Sequence, residues 1–72
     1  MDIFETRDTI ERWIYSCDKE EQINLLADVV SEFVVIRFEK KANIDTIEDV
    51  RGYLIQKMAE QKLLIRRKSY LN

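Results

Sequence analysis

Residues 23–38 read INLLADVVSEFVVIRF, and eleven of the sixteen are apolar. Wound at about 100° per residue, the apolar positions cover roughly 220° of a helix. Asn24, Asp28, Ser31, Glu32 and Glu39 are confined to a polar strip about 100° wide. A surface helix needs an apolar stripe of only about 100°. The segment is therefore expected to be a central, mostly buried helix with neighbours on two sides. The β-branched density of residues 33–38 (FVVIRF) would also suit a strand. The 3.6-residue period holds on both sides of it, so helix is the reading.

Working outward, acids crowd the start of this segment (Asp18, Glu20, Glu21) and bases its end (Arg37, Lys40, Lys41), the gradient a helix dipole favours. Asp18 with Glu21 has capping spacing, which gives a helix over about 19–41. Before it, Asp8-Thr9-Ile10-Glu11 has the form of a capping box, and Asp2 with Glu5 offers an earlier start. Ile3, Ile10, Trp13, Ile14 and Cys17 share one face, so a helix is expected over about 3–17 with Trp13 in the core. After it, Asp45 caps a third helix over about 46–65, whose stripe is Ile47, Val50, Leu54, Met58, Gln61 and Ile65. Residues 45–48 repeat the tetrapeptide 8–11, but their surroundings do not match, so no internal repeat is read. Residues 66–72 are expected to be a basic tail, and residues 63–70 stay open between helix end, strand and tail. The fold expected is all-α, a small three-helix bundle forming a single domain over 1–72.

A chain of 72 residues buries only about 60% of its unfolded surface and gains from a supplement to its core. Cys17 is the only cysteine and histidine is absent, which removes an internal disulfide and the usual zinc ligand sets. Association with another chain is the supplement left. The lone thiol and an N-terminus (MDIFETRD) without a basic start or apolar run fit a cytoplasmic protein. The longest uncharged run is six residues, 22–27, too short to cross a membrane.

The same inventory argues against catalysis. Without histidine there is no ready general base for a Ser or Cys nucleophile. One glycine, Gly52, cannot build a phosphate loop. Cys17 reads as a small buried hydrophobe. Asp45, Glu48 and Asp49, or Asp18, Glu20 and Glu21, could in principle gather around Mg²⁺, but acids belong at helix starts anyway. No enzyme, cofactor or metal is expected.

Some residues break the pattern. Arg37 stands within the apolar arc, either snorkelling past the helix end or pairing with an acid on a partner. Val35 is an apolar residue inside the polar strip, expected to be exposed. Tyr53, Leu63 and Leu64 on the third helix, with Phe4 and Tyr15 on the first, exceed what a core of this size can cover. Together with Arg37 they are the candidate partner-binding residues. Gly52 and Ala59, one heptad apart, would let another helix approach closely.

The function expected is a non-enzymatic protein-interaction or self-association module, with a protein partner or a homo-oligomer, a dimer first among these. An alternative is a DNA-binding helix-turn-helix regulator using the second and third helices. The charge is against it: net −2 overall, with Asp45, Glu48 and Asp49 at the end that should face bases. A further alternative is an accessory or inhibitor protein of a phage or mobile element.

Overall fold

The computed structural model describes residues 2–71. Three helices follow one another, α1 (Ile3–Ser16), α2 (Glu20–Phe38) and α3 (Ile44–Leu71), with no strand among the described residues. The Phe33–Phe38 segment is helical to its end, as its period requires.

The caps of α2 and α3 are not the acids that spacing alone suggested, Lys19 lying one residue after Asp18 and Asn43 two residues before Asp45. For α1 the earlier candidate is used: the Asp2 carboxylate accepts from the Glu5 amide at 2.8 Å, satisfying an otherwise orphaned donor. Asp8 lies a turn and a half inside the helix, paired with Arg7 at 3.0 Å. At α2 the cap is Lys19, and the Gln22 side chain reaches back to accept from the Asp18 and Lys19 amides. Asn43, not Asp45, starts α3, its side-chain oxygen accepting from the Thr46 amide at 2.8 Å. A short amide caps as well as a carboxylate, so acid spacing by itself misplaced the boundary.

α1 and α3 run parallel and α2 runs antiparallel to both, an up-down-up bundle. The cross-links fix that sense: Tyr53 donates to Glu11, Gln61 Nε2 donates to the Cys17 carbonyl at 3.0 Å, and Arg66 pairs with Glu20 at 2.8 Å. One apolar cluster holds the helices together. α1 contributes Ile3, Ile10 and Ile14; α2 contributes Ile23, Val30, Val34 and Phe38; α3 contributes Ile47, Val50, Leu54 and Met58. The α3 stripe follows the sequence pattern, with Gln61 buried and Ile65 half-buried. Thr6 is buried on α1 with its hydroxyl donating to the Asp2 carbonyl.

Three expectations fail here. α3 continues as helix to Leu71, so residues 66–71 are not a separate tail; Asn72 lies outside the described residues. At 28 residues α3 spans about 42 Å and overhangs its shorter neighbours, giving a rod 46 × 16 × 16 Å. Nor is α2 mostly buried. α3, packed on both other helices, is the central one. With only two neighbours, α2 buries the arc of Ile23, Val30, Val34 and Phe38 and leaves the opposite arc free. Val35 falls at the edge of the covered arc and packs against the core instead of standing exposed.

Leu54, fully buried at the centre of α3, should cost about 2–5 kcal/mol when cut to alanine. Gly52 is exposed with open space where a Cβ would stand. Gly52→Ala should stabilise by about 0.5–1 kcal/mol. Thermal unfolding followed by circular dichroism reads both changes.

Candidate functional site

Five of the six candidate residues come together along the outer seam between α1 and α3. The Arg7 guanidinium lies 5.4 Å from the Phe4 ring and 5.2 Å from the Tyr53 ring. Lys57 approaches Tyr53 at 5.4 Å, within the range of cation–π attraction. Tyr53 and Tyr15 both donate their hydroxyls to the Glu11 carboxylate. Farther along, Tyr15, Leu63 and Leu64 line a shallow open groove with Glu60 and Arg66. The seam thus has polar partners of its own over most of its length. Leu63 and Leu64 have no polar partner, and Phe4 and Tyr15 stay about half exposed.

These contacts move the titrations. The two tyrosine hydroxyls hold the Glu11 carboxyl below its ordinary range, Tyr53 contributing most. The same hydrogen bonds push Tyr15 and Tyr53 above theirs. Burial, with Asp18 nearby as a lesser cause, raises the Cys17 thiol, the reverse of what a reactive cysteine needs. Among the described residues no three His, Cys, Asp or Glu side chains gather as a metal would require.

Arg37 lies apart from the seam, exposed on α2 and in no ion pair among the described residues. Its surroundings are the feature the candidate list missed. Leu25 is 69% exposed, Ile36 70% and Val29 57%, with Phe33 nearly half exposed. Spaced by four, four and three residues, they line one strip along the helix. Trp13, expected in the core, is 52% exposed and joins the strip beside Leu25, Leu26 and Val29 in a shallow depression. Trp13 is displaced because Thr6, Ile10 and Ile14 set the inward face of α1, and Trp13 falls at its margin. Taking about 150–250 Å² per fully exposed large apolar side chain, the strip presents roughly 500 Å². That is as much as the largest patch on most monomers. The signal was in the sequence, since an apolar arc of roughly 220° exceeds what two neighbours in so short a chain can cover.

The total accessible surface tells the same story. It is 5429 Å², against roughly 4,700 Å² for a folded monomer of this mass. An elongated rod of 46 × 16 × 16 Å exposes more than a globular chain of the same mass.

The Glu11 network predicts a two-sided pH dependence. A carboxyl whose folded pKa is lowered adds stability above the ordinary carboxylate range, and this is lost as pH falls through the lowered value. Tyrosines whose folded pKa is raised add stability below the ordinary tyrosine range, lost as pH rises through the raised values. Glu11→Gln should flatten both limbs of a thermal-midpoint profile against pH; unchanged limbs would show the network to be without weight.

Comparison of the chain with protein-family models, with curated proteins and with solved structures found no match.

Proposed function

We propose that the chain is a non-enzymatic interaction module whose working surface is the free face of α2, extended by Trp13. The observation that carries this reading is the exposure of Leu25, Val29, Phe33 and Ile36 on one side of one helix. Such a strip is costly to leave in water, at about 25 cal/mol for each Å², and it lies on an element already held rigid by its other side. Large exposed apolar patches with a polar rim mark interaction surfaces. Glu32, Arg37 and Lys40 supply the rim here.

The remaining chemistry supports the same choice. The single thiol is pushed towards its protonated form, and no histidine is present. A nucleic-acid reading draws no support from α3, because Asp45, Glu48 and Asp49 are exposed on its first turns where a phosphate-lined groove would repel them. Among the described residues no helix is long and apolar enough to cross a membrane.

Capture of partners from the native host tests the reading with three baits beside the unaltered chain. Ile36→Glu and Arg37→Glu should lose the bound protein, whereas Leu63→Glu on the α1/α3 seam should keep it. Retention by Ile36→Glu together with loss by Leu63→Glu would move the working surface to the seam.

A further inference from the structure

We infer that the free face of α2 is covered by the same face of a second copy, the two α2 helices lying antiparallel about a two-fold axis between Val29 and Phe33. The inference rests on the reading of that face as the working surface and names its occupant.

The charge pattern selects the occupant and its direction. Residues 18–32 carry five acids and one base, a net −4; residues 33–41 carry three bases and one acid, a net +2. The sign changes within the apolar strip, between Glu32 and Arg37. The two-fold axis between Val29 and Phe33 lies just N-terminal to that change and lays the acidic start of the segment (Glu20, Glu21) against its basic end (Lys40, Lys41) in the other copy, which electrostatic complementarity favours. A parallel pairing would lay acidic on acidic and basic on basic. The antiparallel sense also opposes the two helix dipoles.

The apolar residues fit the same axis. Val29 falls opposite Phe33 of the partner subunit, Ile36 opposite Leu26 of the partner subunit, which is half-buried against its own core, and Leu25 opposite Arg37 of the partner subunit, whose aliphatic stem packs on it. Gln22, at the end of the strip, falls opposite Lys40 of the partner subunit. Trp13 flanks the same end and widens the cover. With the rim residues included, two copies bury about 1,200 Å², the lower end of what specific interfaces use. A closed two-fold pair satisfies both strips at once.

Sedimentation equilibrium of the purified full chain at low salt, from micromolar to millimolar, tests this. The expected result is a reversible monomer–dimer equilibrium. Val29→Glu, altering a side chain already exposed in the single chain, should keep the helical circular dichroism and remain monomeric throughout. Gln22→Glu preserves the acceptor that caps the Asp18 and Lys19 amides and creates two symmetry-related Glu–Lys pairs. It should tighten the dimer by roughly tenfold, and Gln22→Lys should loosen it comparably. An unaltered chain that stays monomeric at millimolar concentration overturns the second copy as occupant, while host capture still decides whether the face has another partner. A Gln22→Glu variant that loosens the dimer, or leaves it unmoved, overturns the antiparallel register. A dimer indifferent to Val29→Glu but lost in Leu64→Glu overturns the interface and the reading beneath it together.

Discussion

The structure depends on one aliphatic cluster shared by three helices. Ile10 and Ile14 from α1, Ile23 and Val34 from α2, and Ile47 and Leu54 from α3 are almost wholly removed from water. No disulfide assists them, since Cys17 is the only thiol. Burial of a large aliphatic side chain is worth about 1.5–3 kcal/mol before the entropy of ordering the chain is subtracted. The margin in so short a chain is therefore narrow. Polar links such as Gln61 to the Cys17 carbonyl and Arg66 to Glu20 orient the helices at the periphery of this cluster. Exposed ion pairs of this kind add little energy of their own.

From this constraint follows the asymmetry of the molecule. Three helices around one cluster cover one face of each, and any apolar surface beyond that face must find another use. α1 and α3 give part of theirs polar partners along the seam, where Arg7 and Lys57 approach the Phe4 and Tyr53 rings and Tyr15 and Tyr53 are tied to Glu11, while Ile44, Ile55, Leu63 and Leu64 of α3 stay exposed at separate places. Both aromatic rings and phenol hydroxyls are satisfied there without a partner. α2 has no such device. Its surplus is aliphatic and phenylalanine, which offer no polar handle, and the neighbouring charges form a rim around it without covering it.

Much of this was legible from residue order. The inward stripe of α3 follows directly from its 3.6-residue period, because each position on it is either clearly apolar or, at Gln61, flanked by ones that are. The same period identified residues 33–38 as helix against their β-branched composition. What was misread has identifiable causes. Trp13 shares an arc with Ile10 and Ile14, but a bulky ring at the margin of a narrow interface is pushed outward while a threonine at position 6 takes the inward place. The caps at Lys19 and Asn43 were masked by acids nearby that serve the dipole without capping. The helical course of residues 66–71 carries no stripe, and it is supported by continuity with a helix already nucleated upstream.

Local sequence alone determined that this chain would be helical, in three segments, with no histidine, cysteine pair or glycine loop from which to build common catalytic chemistry. It also set the quantity of apolar surface on α2, because that depends only on composition and period. Which part of that surface would be covered was decided by tertiary packing. Burial is a property of neighbours: α1 and α3 together cover one side of α2, and its outer side is left without one. The charge gradient along α2 is likewise written in the sequence. Its bearing on association arises only once the fold turns that gradient, with the strip at its centre, to the outside.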